Sequence, residues 1–212
     1  MRGLTRTLAA VAAIALAGTM TACSSAKPSG SKPVGQLKDI TGGTTTVRLD
    51  PSFVTALGGQ ALTPTASGTA KIMKSGSVTE FVFPATGGNV TLSDASDVGG
   101  EIAHNGSGLT FVSGGTKATA KDFVIHLGPD PNLTAEIDLN GAVAFKSLRL
   151  FDLDTTTMTA PAIKNGEATL PGMSIYLSSV AAADLNVALN TTTLAGGKKV
   201  KIGTATVVAT GS

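Results

Sequence analysis

Apolar and polar residues alternate with period two along most of this chain, in short runs that stop at Gly, Pro or Asn-Gly. That period is the signature of half-buried strands, whose successive side chains point to opposite faces. In LTAEIDL, Leu133, Ala135, Ile137 and Leu139 share one face, while Thr134, Glu136 and Asp138 share the other. Phe81 and Phe83 repeat the pattern, as do Phe123, Ile125 and Leu127. Strands are expected over 44–49, over 62–73 with breaks at Pro64 and Gly68, over 78–83, 89–92, 101–104, 109–112, 116–127 and 133–139, as one strand or two over 142–153, and over 168–170, 173–177 and 198–210. Asn105-Gly106-Ser107-Gly108 reads as a turn, because Asn and Gly accept positive φ at little cost, so 101–104 and 109–112 should form a hairpin.

Two segments break the alternation. Asp50 can cap a short helix over 51–57, with Pro51 at its first position and Gly58-Gly59 to stop it. Ser178 or Ser179 can cap a second helix through Leu189, with Val180, Ala183, Leu185, Val187 and Leu189 on its core face. The expected fold is all-β and mainly antiparallel, a β-sandwich or an open barrel with two short helices, the sandwich being preferred. VRLDPSFVTAL before GTAKI and IYLSSVAAADLNVAL before KVKIGTATV share one organisation, either an internal repeat or two similar connections.

Composition agrees with that picture. Glycine is abundant at 26 residues and aromatics make up only 4%, which suits short strands and tight turns more than long helices. The core then rests on Val, Ile, Leu and seven Phe. The formal net charge of +2 includes Arg2 and Arg6, both in a segment expected to be removed. Without them Lys+Arg falls from 16 to 14, equal to the 14 acidic residues. A neutral domain lacks the basic footprint of nucleic-acid binding, and it offers no basic patch to anionic lipid.

Residues 1–22 read as an export signal: Arg2 and Arg6, the apolar run LAAVAAIALAG, then small residues up to Cys23. The run is too short for a permanent span. Met20-Thr21-Ala22-Cys23 resembles the bacterial lipobox, which implies cleavage before Cys23 and a diacylglycerol on its sulfur. Cys23 is the only cysteine; the alternative is a free thiol. Residues 23–38, rich in Ser, Pro, Gly and Lys, read as a flexible tether, and 39–212 as one β-rich domain. The expected address is the outer face of the cytoplasmic membrane, with the membrane as partner through the lipid anchor.

Candidate chemistry is sparse. His104 and His126 are the only histidines, and no Cys pair or HExxH accompanies them. A structural role is the leading reading for both, with His104, beside the Asn-Gly, the more open to function. Ser107 lies between two glycines and no GxSxG elbow occurs. Glu136 with Asp138, and Asp152 with Asp154, would each share a strand face; they read as a charged, solvated surface rather than a cation site.

One order of motifs is more specific. SFVTALGG at 52–59 precedes FVFPATGGNV at 81–90, then GGEIAHNGSGLTF at 99–111, then a strand ending FVIHL and LTAEIDLNG. This resembles the HtaA-like domain of actinobacterial surface proteins, a β-rich fold that binds haem. The resemblance implies that Ser52 and Phe53 lie near a ligand and that His104 is the histidine supporting a haem-ligating tyrosine. The position of that tyrosine falls near Ala56; the chain's only tyrosine is Tyr176. Haem is the cofactor so implied.

Two readings of function follow. The first is a lipid-anchored, non-catalytic cell-envelope lipoprotein acting as a structural or interaction module towards an envelope protein or glycan. The second is a binding module for haem or another hydrophobic small molecule.

Overall fold

The computed structural model describes residues 33–59, 63–93, 97–113, 115–188, 192, 194–197 and 200–212. The expected export signal, Cys23, most of the tether and Leu189 lie outside these. The strands are β1 (Gly35–Leu37), β2 (Ile40–Leu49), β3 (Thr65–Gly68), β4 (Lys71–Ser75), β5 (Val78–Pro84), β6 (Gly87–Leu92), β7 (Val98–Ser113), β8 (Thr116–Leu127), β9 (Asn132–Leu139), β10 (Ala142–Asp154), β11 (Ala162–Lys164), β12 (Glu167–Leu177) and β13 (Lys201–Gly211). Helix α1 (Pro51–Gly59) follows β2, and α2 (Ser179–Ala188) follows β12.

All strands belong to one antiparallel sheet, in the order β1-β6-β7-β8-β9-β10-β12-β13-β2-β5-β4, with β3 on β7 and β11 on β12. Of the two architectures open from sequence, the structure is the barrel-like one: a single sheet curled on itself rather than two stacked sheets. The curl brings β7 against β2, although five strands separate them in the sheet order. The chain from β5 to β6 stitches the gap. Ala85 N–H donates to the Gly43 carbonyl of β2 at 3.0 Å, and Thr86 N–H to the Ala103 carbonyl of β7 at 2.8 Å. The concave side carries the core, where Ile102, Ile125, Ile137, Leu170 and Val207 are no more than 2% exposed.

Three expectations about the strands need correction. The 101–112 hairpin is one long strand: β7 continues through Asn105-Gly106-Ser107 as a bulge, and β8 pairs with it on both sides, His104 opposite Phe123 and Gly108 opposite Lys121. Asn-Gly signals positive φ, and a bulge uses it as well as a turn does; Gly106 sits at φ +76. Pro171-Gly172 is likewise a bulge inside β12, paired throughout with β13. The folded region also starts before residue 39: β1 pairs β6 and buries Leu37 at 1% exposure. Three residues are too few to show a period.

Both helices have the expected caps. Asp50 Oδ1 accepts from Ser52 N–H at 2.9 Å, and Ser178 Oγ accepts from Ala181 N–H at 2.9 Å. The core face of α2 differs from expectation. Ala181 and Ala182 are buried and Leu185 packs on the core, while Val180 and Val187 are 55% and 84% exposed and Ala183 is exposed. Ser178 fixes this rotation, because its hydroxyl also donates to the Arg149 carbonyl of β10 at 2.5 Å. Small residues then meet the sheet. The two strand–helix–strand segments pair differently: β12 and β13 are neighbours around α2, whereas β4, which begins within GTAKI after α1, pairs with β5 and not with β2.

Candidate functional site

The curled sheet cups an apolar cavity of about 180 Å³ that is partly open at its rim. Its rim is half-buried and includes Phe53 and Leu57 of α1 and Leu185 of α2. The Asp50 cap orients α1 so that Phe53 and Leu57, one turn apart, share the cavity face. Asp50 also ties the helix to β13, donating its N–H to the Ile202 carbonyl at 2.9 Å. Its carboxylate is held below the usual range, chiefly by the Ser52 hydroxyl. Ser52 itself is exposed and spends its hydroxyl on Asp50 at 2.6 Å, away from the cavity wall. Of the sequence candidates, Phe53 and His104 meet at the cavity and Ser52 does not; Cys23 lies outside the described residues.

The buried end of the cavity is built around His104. Its Nε2 is 2.7 Å from Thr45 Oγ1 and its Nδ1 is 3.3 Å from the Phe123 carbonyl. A carbonyl only accepts, so Nδ1 carries the proton and Nε2 accepts from the threonine hydroxyl. Phe83 stands edge-on to both His104 and Phe123, at centroid distances of 6.4 and 5.2 Å. With the ring 1% exposed, burial pushes its pKa down to about 4, against a smaller upward pull from the Phe123 carbonyl. His104 is therefore neutral at pH 7, and both ring nitrogens are occupied.

The bulge decides what this wall presents. Before it, Ile102 and His104 point inward; after it, Leu109 and Phe111 do. The inward set thus changes from even to odd positions within one strand. The bulge is held from three sides. Asn105 N–H donates to Thr86 Oγ1 at 2.9 Å, Gly106 N–H to Asp122 Oδ1 at 2.7 Å, and Thr69 N–H to the Gly106 carbonyl at 2.8 Å. Gly68 lies so close that a Cβ there would meet the Gly106 oxygen at 1.9 Å.

The remaining candidates have structural partners. Ser107 is 1% exposed and bonded to Thr69 Oγ1 at 2.8 Å, so it presents no nucleophile. His126 lies on the convex face, 2.9 Å from Glu101 and 3.0 Å from Thr134. Glu136 and Asp138 both clamp Lys121, at 3.0 and 2.9 Å. Asp152 pairs with Arg149, while Asp154 caps the turn that follows, accepting from Thr156 N–H. Among the described residues no group of three or more His, Cys, Asp or Glu is placed to hold a metal. Thr45 and Phe83 escaped sequence reasoning as site residues. Their only local signal was inward phase on a strand, and their partners are distant in sequence.

A one-sheet, antiparallel half-barrel with an apolar interior and two short helices at its rim defines an HtaA-like fold. The C-terminal domain of HtaA from Corynebacterium glutamicum aligns with this chain at a TM-score of 0.57 and 16% identity, over 81% of this chain and 98% of that one. The domain-swapped dimer of a histidine-to-alanine variant of that domain aligns at 0.50 and 18%, over 76% and 91%. No family model matches the chain, and no curated protein does. The resemblance drawn from motif order therefore holds for the fold.

The residues do not fit haem in the manner that resemblance implies. Ala56, at the tyrosine position, is exposed. Tyr176 lies between Ile175 and Leu177, which line the cavity, and so points to the opposite face of β12. Among the described residues the cavity wall contains no Tyr, Cys, Met or charged side chain. Its single histidine has no free nitrogen for iron.

Proposed function

We propose that this domain is a non-catalytic module that binds a hydrophobic small molecule inside its curled sheet. In this reading it works at the outer face of the cytoplasmic membrane, held there by an acylated Cys23. The supporting observation is the cavity: about 180 Å³ of space inside a wall whose polar side chains, among the described residues, are Thr45, His104 and Thr116. Concave, mostly apolar pockets with few polar groups are the usual form of small-molecule sites. The HtaA-like fold supports the same reading, because the motif resemblance is to a binding domain. The interaction-module reading, with a protein or glycan on the convex face, has only a surface without a concentrated polar site to support it.

Two experiments test this. Protein isolated from its native envelope, extracted with organic solvent and analysed by mass spectrometry, should yield close to one equivalent of a lipophilic compound. Protein that is empty after mild isolation counts against ligand carriage. Cys23→Ala should move the protein from the membrane fraction to the soluble one, and retention at the membrane rejects the anchor.

A further inference from the structure

We infer that the cavity takes a neutral hydrocarbon group, one ring or a chain end of similar size, and excludes both haem and carboxylates. This rests on the reading of the domain as a binding module and names the chemistry of its ligand.

Three observations carry the inference. The first is charge. Among the described residues the wall holds no ionisable side chain except His104, which is neutral, so none of them balances a carboxylate or a ferric iron. Moving an uncompensated charge into such a space is strongly unfavourable. The second is hydrogen bonding. At the buried end the Thr45 proton goes to His104 and the His104 proton to the Phe123 carbonyl. The polar groups there satisfy one another, so a ligand headgroup is offered no donor and gains most by staying outside. The third is size. An apolar cavity of about 150 Å³ lined by Leu, Ile and Phe stays dry and binds benzene. The present cavity is about 180 Å³, with the same residue types around it. Pockets that enclose drug-sized ligands are larger, from about 300 Å³ upward.

The wall also shows where to block it. Ala120 of β8 lines the cavity opposite Leu109 of β7 and is 8% exposed. A larger side chain there projects into the empty space.

The test uses the full chain carrying Cys23→Ser, so that no acyl group of its own competes. Toluene and its longer n-alkyl homologues are titrated against it, with benzoate and haemin as the charged and macrocyclic arms. Binding is followed by the methyl resonances of Ile125 and Ile137, which line the cavity. Toluene should saturate. Affinity should rise about fourfold with each added methylene until the chain outgrows the cavity, then level off. Benzoate should bind at least a hundredfold more weakly than toluene, and Ala120→Phe should abolish toluene binding while the fold is retained. The toluene-to-benzoate comparison stands without the variant if Ala120→Phe fails to fold. Benzoate binding as tightly as toluene overturns the inference. So does haemin binding saturably with a shifted Soret band while toluene does not bind; in that outcome the binding-module reading survives. If no arm binds, the inference and the binding-module reading both fall.

Discussion

The two histidines sit on neighbouring strands and lead opposite lives. His104 on β7 faces inward, 1% exposed, between a threonine hydroxyl and a backbone carbonyl. His126 on β8 faces outward, one-third exposed, between Glu101 and Thr134. Each has two partners at hydrogen-bond distance, so partner count does not separate them. What separates them is the medium. Around His104 the neighbours are Phe83 and Phe123, and desolvation decides its protonation. Around His126 water is at hand and a carboxylate shares the site. The same side chain is a neutral strut in one place and a surface contact in the other.

The contrast can be broken at several points, the largest effect coming from the aromatic wall. Phe123→Ala removes a buried ring that packs edge-on to Phe83 and should cost about 3–5 kcal/mol in chemical denaturation. A loss under about 1 kcal/mol would mean that this wall is not packed. Thr45→Val keeps the volume but leaves His104 Nε2 buried without a donor. A loss of about 1–3 kcal/mol is expected, and a neutral result would show that water reaches the ring.

The pH dependence is of similar size. The folded pKa of His104, about 4, lies below the ordinary 6.5. The unfolded chain therefore binds the proton more readily between these values. The contribution is complete above about pH 6.5 and is lost as pH falls toward 4. Between pH 7 and 5 it amounts to about 2 kcal/mol. Unfolding curves at the two pH values should show that loss, and His104→Gln should flatten it. A parent protein equally stable at pH 7 and 5 contradicts the assignment. The smallest effect belongs to the other histidine: Glu101→Ala breaks an exposed contact and should change stability by less than about 1 kcal/mol.

Legibility from sequence followed the range of the interaction. The caps at Asp50 and Ser178 are local, each side chain serving a backbone N–H two or three residues on, and both were readable. The inward phase of Leu133, Ala135 and Ile137 on β9 was readable for the same reason, since an unbroken strand keeps one period. At Gly106 the local signal was correct in conformation but silent on pairing. Whether positive φ makes a turn or a bulge depends on Thr69, Thr86 and Asp122, none of them adjacent to it. The outward rotation of Val180 and Val187 was invisible because Ser178 answers to Arg149, 29 residues away. The cavity was least legible of all. His104 is marked by a motif, but its partner Thr45 is 59 residues distant and has the sequence context of any strand threonine.

A dry interior holding a neutral His104 is the central feature of this domain. Long-range proton–nitrogen NMR of its imidazole between pH 7 and 4 tests that directly. The prediction is a neutral ring protonated at Nδ1, with no titration until about pH 4. A ring that titrates near 6.5, or one carrying its proton on Nε2, would mean a wet cavity with a free nitrogen. That would contradict the account.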